Sequence, residues 1–354
     1  MKAMRSKPRT WVMPVLPGGC AELRVEGAAM ERRGIHVGMR GASGLPAIER
    51  LVSEIAPSLD LNYVILEVND KFQYQSHPEA GEADSMSAAD ARGLAAAARA
   101  NGVTLVPMYN CLGHQSWKDK SGALLRSHPE FNEAPEMDVT AKDFYCMSWC
   151  PTHPEVNSLV FDLFDELIEA FEAEAFHVGL DEVLTMGECP RCKGTPNGDL
   201  FAKAVNDYHG HLVGARGVEM QMWGDRLLDA KTMGYGLKES SENGTHEAID
   251  KVSKDIVMCD WHYEIRDEFP SVKFFQEQGF RVWPGGWNKE ESIKRLVEVA
   301  RRDATPLMLG YLATTWSDTE KVVAGLGGQP LGEEDARIAA IVEGVKLGAK
   351  LAQG

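Results

Sequence analysis

Several features are missing from this 354-residue chain, and each absence narrows what it does. No apolar run approaches the ~18 residues needed to cross a bilayer. Basic residues do not dominate: the formal net charge is −16, which repels phosphate backbones and anionic lipid. Nucleic acid and membranes are therefore unexpected partners, whereas a neutral ligand such as a sugar meets no such barrier. Cysteines do not come as an even, regularly spaced set. There are seven, scattered through a large chain, which argues against a disulfide framework. A Gly-rich phosphate loop after an early strand is also missing, and a doubly wound nucleotide-binding sheet would want one.

The N-terminus, MKAMRSKPRTWVMPVLPGGC, is basic, has a short apolar stretch and carries Cys20. Prolines interrupt the stretch, so the sequence favours the cytoplasm over a lipoprotein leader. Cys189-Pro-Arg-Cys192 is a CxxC, and Cys146 and Cys150 lie nearby in sequence. Four thiolates bind zinc, but one CxxC with a loose second pair is a weak signal. The expectation is free thiols, with no metal and no cofactor.

What is present is a repeated alternation. Eight β-branched, apolar runs read as strands: GIHVGMR (34–40), YVILEVN (63–69), VTLVPMY (103–109), AFHVGLD (175–181), EMQMWGD (219–225), DIVMCDW (255–261), FRVWPGG (280–286) and LMLGYLATTW (307–316). Stretches with apolar residues at three- and four-residue spacing fall between them, at 46–56, 87–100, 154–172, 199–215, 271–278, 289–302 and 334–348. Segment 226–254 is Gly-, Ser- and Asn-rich, and a helix there is a guess. Strand–helix alternation repeated eight times indicates an α/β fold, a (β/α)8 TIM barrel. The domain reading is an N-terminal extension over 1–33 and a single barrel over 34–354. The connection from Asn110 to His153 is long enough to be functional.

In such a barrel the active site lies at the C-terminal ends of the strands. Polar and aromatic residues gather there: Asp70 after the second strand, His114 after the third, His177, Asp181 and Glu182 at the fourth, Trp223 and Asp225 at the fifth, Trp261 and Tyr263 at the sixth, Trp287 after the seventh and Trp316 at the eighth. Five of the eight tryptophans (Trp223, Trp261, Trp283, Trp287 and Trp316) fall at or near these ends, several beside a carboxylate. Aromatic walls with charged acceptors suit a pyranose, whose faces are apolar and whose rim is polar. Asp181 and Glu182 are adjacent, so on a regular strand they would point to opposite faces. Both serve one site only where the strand ends and the backbone turns.

The segment His177-Val178-Gly179-Leu180-Asp181-Glu182 resembles the His-x-Gly-Gly-Asp-Glu motif of family 20 glycoside hydrolases, the β-N-acetylhexosaminidases, with Leu180 at the second Gly. The likeness runs from about residue 33 to 320 and is strongest to the single-domain branch similar to hexosaminidase D. It includes Arg33-Gly34, Asn69 to Tyr74, Pro107 to His114, Trp223-Gly224-Asp225 and Thr315-Trp316. The resemblance implies removal of terminal β-linked N-acetylhexosamine with retention, the substrate's acetamido oxygen acting as nucleophile. It assigns Glu182 as general acid and base, Asp181 as acceptor of the acetamido N–H, and Tyr263 as donor to the acetamido oxygen. It makes Arg33 a ligand for sugar hydroxyls, His114 and His177 supports, and Asp70, Trp223, Asp225, Trp261, Trp287 and Trp316 the substrate pocket.

Two rivals stand beside this reading. One is a metal-dependent sugar isomerase or epimerase using Glu67, His177, Asp181, Glu182, Asp260 and His262 as ligands. The other is a sugar-binding barrel without turnover. A carbohydrate is the partner in each case, and the acidic exterior permits a homodimer.

Overall fold

The computed structural model describes residues 29–117, 120–138, 140–141 and 144–354. The apolar stretch at 11–16 and Cys20 lie outside the described residues. Eight parallel strands close into a barrel in sequential order: β1 Arg32–Gly38, β2 Tyr63–Glu67, β3 Thr104–Cys111, β4 Ala175–Gly179, β5 Glu219–Trp223, β6 Val257–Trp261, β7 Arg281–Gly286 and β8 Gly310–Thr314. All eight expected strands are found. The barrel begins at Arg32, so Arg32 and Arg33 belong to β1 rather than to an extension.

Strand parity separates two apolar clusters. Ile65, Val106, Met108, Val257, Cys259, Trp283 and Leu312 fill the barrel lumen, together with Trp223 and Trp261. Val64, Leu66, Phe176, Val178, Met220, Met222 and Val282, next to them in sequence, pack outward against the helices. Residues i and i+2 share a face, so each strand feeds both layers. Gly34 makes room in the lumen: a Cβ there would sit 2.4 Å from the Trp283 ring. At the N-terminal end Arg32 pairs with Glu219 at 2.7 Å, and Arg281 reaches the same carboxylate at 2.6 Å.

The outer layer includes Ala88–Ala100, Val156–Phe171, Asn197–His209, Pro270–Glu277, Glu290–Arg302, Thr319–Leu326 and Ala336–Gln353. Ser87 caps the first of these with a reciprocal Ser87–Asp90 capping box. Segment 226–254 contains no long helix. It holds one short helix, Ala230–Met233, and 3-10 turns, because its glycines and serines favour turns over helical periodicity. Segment 112–153 carries a small hairpin (Ser116–Trp117 with Lys120–Ser121) and the short helix Ala123–Ser127. Among the described residues, no helix is long and apolar enough to cross a membrane.

Candidate active site

A cleft of about 760 Å³ opens at the C-terminal end of the barrel. Its lining includes Asp70, His114, Asp181, Glu182, Trp261, Tyr263, Trp287 and Trp316, all anticipated from sequence. His36, Arg40, Glu67, Asn110, Tyr145, Lys238 and Arg337 also line it.

The backbone explains how two neighbouring acids reach one cavity. Gly179, Leu180 and Glu182 have φ of 69°, 75° and 50°. The chain leaves β4 through left-handed turns, so the alternation of a strand no longer applies. Gly179 is required here, since a Cβ would lie 2.2 Å from the Asn110 Oδ1. Leu180 takes the same left-handed region with a full side chain, which costs of order 1 kcal/mol or more. Of the eight non-glycine residues with positive φ among those described, six (Asn69, Leu112, His114, Leu180, Glu182 and Trp316) sit just beyond strand ends, on the cleft side of the barrel. Such strain persists where surrounding contacts hold it, and it concentrates at functional sites.

Those contacts form a chain of hydrogen bonds. Asn69 Nδ2 donates to Glu67 at 2.8 Å, and the Asn110 backbone N–H donates to Asn69 Oδ1 at 2.7 Å. Asn110 Nδ2 donates to Asp181 Oδ1 at 2.8 Å, while its Oδ1 accepts from the Leu180 N–H at 3.1 Å. His114 Nε2 lies 3.1 Å from Asp181 Oδ2 and 3.4 Å from Glu182 Oε2. The Tyr145 hydroxyl donates to Glu182 Oε2, and the Lys238 ammonium stands 3.8 Å from Glu182 Oε1.

The electrostatics follow from this packing. Burial works to raise the Asp181 carboxyl, but the charge of His114 and hydrogen bonds from His114 and Asn110 outweigh it and hold the group below the usual range. Burial would likewise lower His114, yet Asp181 and Glu182 push its imidazole well above its ordinary value. The pair is an imidazolium clamped on a carboxylate. Burial and hydrogen bonding to Glu182 raise the Tyr145 phenol, so it stays a donor. Burial also raises Tyr263 far above a normal phenol.

Tyr263 has a specific hydrogen-bond arrangement. Trp316 Nε1 donates to its oxygen, and Thr314 Oγ1 lies 3.1 Å away. The Thr314 hydroxyl has one proton to share between the Tyr263 oxygen and the Gly286 carbonyl at 2.9 Å. The Tyr263 oxygen is an acceptor in both contacts, so its own proton is available to a ligand. Trp261 stacks on Tyr263 at 4.8 Å, and Trp287 flanks it at 5.3 Å. The result is an aromatic wall with one aimed hydroxyl.

Three sequence expectations, for Arg33, Trp223 and Asp225, need correction. Arg33 does not reach the cleft: it sits at the opposite end of the barrel, where its guanidinium bonds the Asp60 and Met30 carbonyls and the Asp60 carboxylate. Strand direction is the reason: Arg33 lies at the start of β1, whereas the cleft opens at the C-terminal ends of the strands. His177 and Trp223 lie beneath the floor rather than in it, fully buried with rings 4.6 Å apart. Burial holds His177 down to about 3, so it is neutral and accepts the Gly179 N–H at 3.0 Å. Asp225 is also below the floor. It accepts from the Glu182 N–H at 2.9 Å, from Trp261 Nε1 at 3.2 Å and from Arg226 at 2.6 Å. Burial pushes its carboxyl up to about 6 against the pull of Arg226. It positions both Glu182 and Trp261.

Of the metal set considered for an isomerase, only Glu67, Asp181 and Glu182 line the cleft. Asp260 and His262 face outward, where they bond each other and Ser271. His114, Asp181 and Glu182 do bring three ligand atoms within 4.8 Å of one another. Sequence reasoning missed His36, Arg40, Tyr145, Lys238 and Arg337 as cleft residues. Parity with Gly34 and Gly38 marks His36, and the end of β1 marks Arg40. No local signal marks Tyr145 or Lys238, which arrive from long connections.

The profile described as "Glycosyl hydrolase family 20, catalytic domain" matches residues 65–322. The chain belongs to this family. Among curated family relatives, a lacto-N-biosidase of Bifidobacterium bifidum is 25% identical over 199 residues, 52% of this chain and 17% of that protein. A beta-hexosaminidase of Akkermansia muciniphila is 24% identical over 220 residues, 58% of this chain and 42% of that protein. The chain thus spans less than half the length of either. A solved beta-N-acetylhexosaminidase from Bacteroides fragilis superposes with a TM-score of 0.62 at 16% identity, covering 89% of this chain and 65% of the other. The shared fold is the family 20 barrel.

Proposed function

We propose that this family 20 protein hydrolyses terminal, non-reducing β-linked N-acetylhexosamine with retention, through the substrate's own acetamido group. The observation that carries the reading is the pairing of two adjacent carboxylates with different surroundings. Asp181 is held ionised by His114 and Asn110, while Glu182 faces the cleft with Tyr145 on one oxygen.

The roles follow from the atoms present. Glu182 gives a proton to the leaving glycosidic oxygen as the anomeric C–O bond breaks. The acetamido oxygen forms a bond to the anomeric carbon in its place. Asp181 accepts the acetamido N–H and offsets the positive charge that spreads over the ring so formed. Tyr263 donates to the acetamido oxygen and aims it, with Trp261, Trp287 and Trp316 packing against the sugar faces. Water then attacks the anomeric carbon, Glu182 takes its proton, and the acetamido group is released. Arg40, Asp70 and Arg337 at the rim supply polar contacts to hydroxyls.

Cytoplasmic residence belongs to the same proposal and is supported by the prolines that interrupt the N-terminal apolar stretch. The test is p-nitrophenol release from β-N-acetylglucosaminide and β-N-acetylgalactosaminide beside the plain β-glucoside and β-galactoside. Cleavage confined to the acetamido pair is expected. Equal cleavage of the plain glycosides would mean a protein nucleophile and overturn substrate assistance. Silence on all four, with sugar binding retained, would leave a binding barrel.

A further inference from the structure

A second cluster of chemistry lies outside the cleft. Glu133, Cys150, Cys189 and Cys192 are all buried, with one ligand atom from each within 4.8 Å of the others. The Cys150 sulfur is 3.5 Å from that of Cys192 and 3.5 Å from that of Cys189. A disulfide needs about 2.05 Å, and these cysteines are free. Ligands at ~2.3 Å from a tetrahedral ion stand ~3.7 Å apart, which is close to the spacing seen. Cys189 and Cys192 are brought together by a tight turn in which the Cys192 and Lys193 N–H groups donate to the Cys189 carbonyl, and Gly194 at φ 90° ends it.

Glu133 is a separate pointer to a cation. Its side chain is 0% exposed. One carboxylate oxygen accepts the Gly187 N–H at 2.7 Å, while Oε2 is buried without a hydrogen-bond partner. The Cys189 and Cys192 thiols adjoin this carboxylate, and burying a carboxylate among thiols costs free energy unless a cation meets them.

We infer that Glu133, Cys150, Cys189 and Cys192 form a closed, tetrahedral structural site for a divalent, thiophilic metal ion, with zinc the best match. Three thiolates and one carboxylate suit its borderline softness. Four protein ligands leave no open position, so the ion takes no part in hydrolysis. Cys146, grouped with these residues in the sequence, is not a ligand: its sulfur lies beside the Glu182 carbonyl at 4.0 Å. Glu133, not Cys146, supplies the fourth ligand atom.

The placement says what the ion does. Glu133 and Cys150 belong to the connection after β3, which also carries Tyr145. Cys189 and Cys192 belong to the connection after β4, which begins with Asp181 and Glu182. The metal staples the two connections just outside the cleft and so fixes Tyr145 against Glu182. This inference stands apart from the proposed glycosidase activity, because its test reads metal.

The whole chain, purified without chelator under reducing conditions, is assayed for metals by plasma mass spectrometry. About one zinc per chain is expected from the four-ligand set, released by a mercurial that titrates thiols. Cys192→Ser and Glu133→Gln lower the zinc content, whereas Cys146→Ser retains it. Where a variant fails to fold, the wild-type protein with Co²⁺ in place of zinc decides: thiolate-to-cobalt charge transfer and tetrahedral visible bands are expected. Three results would overturn the site: a metal-free chain that takes up neither zinc nor Co²⁺ when reduced, zinc lost equally in Cys146→Ser, or a disulfide within the trio after rapid alkylation.

Discussion

Both ends of the barrel bury charge, and they treat it differently. At the N-terminal end Arg32 and Arg281 close on Glu219, and Gln221 adds a fourth contact at 2.9 Å. Burial opposes ionisation of Glu219, yet the two arginines hold it down to about 2. That cluster plugs the lumen and gives each Glu219 oxygen a cationic partner. At the C-terminal end Asp181 and Glu182 share one imidazolium and face a cavity, on backbone bent through left-handed turns. Charge neutralised by its neighbours stabilises a fold. Charge left facing a cavity, on strained backbone, is available to a substrate.

The sharpest break in this comparison is Glu182→Gln. It should lower kcat by roughly 10²–10⁴-fold, the range for loss of general acid catalysis, with an unchanged melting temperature. Asp181→Asn should follow at about 10²–10³-fold, as for loss of a preorganised electrostatic partner. It should also bring the His114 titration down toward normal in NMR, because Asp181 is the main influence raising it. An unshifted His114 would mean the clamp is not what orders the site.

The opposite end should respond in stability alone. Glu219→Gln leaves Arg32 buried beside a neutral partner, and about 3–5 kcal/mol of unfolding free energy should be lost, with kcat unaltered. The acid limb carries a sign. A carboxyl with folded pKa about 2 and ordinary value 4.5 contributes stability above pH 4.5 that is lost as pH falls toward 2. Denaturation curves across that window should flatten in the variant.

A smaller effect is expected for Tyr145→Phe. It removes a hydrogen bond to Glu182, worth ~0.5–1.5 kcal/mol, and so up to about tenfold in kcat. The smallest is Arg33→Ala: kcat/KM on an N-acetylglucosaminide should be unchanged, whereas Arg40→Ala should raise KM. A large loss in Arg33→Ala would overturn the assignment of the two arginines to opposite ends.

The contrast between Arg33 and Arg40 also shows where local reading fails. Both arginines border β1, and family resemblance favours the one beside Gly34. Strand direction decides otherwise, since only the end of the strand faces the cleft. His177, Trp223 and Asp225 were found by motif and lie at the right strand ends. One layer of depth separates a residue that touches a ligand from one that supports it, and sequence spacing carries no depth.

What the sequence determined by itself was the set of short-range regularities. Alternating strands and helices dictated the barrel, a period of two divided lumen from outer layer, and the Gly179–Glu182 run dictated the turn that brings two acids to one mouth. Only the tertiary structure decided which distant segments meet there. Tyr145 reaches Glu182 from 37 residues away, and Glu133 completes the cysteine trio across the same two connections. Periodicity is set by backbone geometry that every residue obeys locally. Encounters between long loops depend on how the whole barrel packs, and no local pattern encodes them.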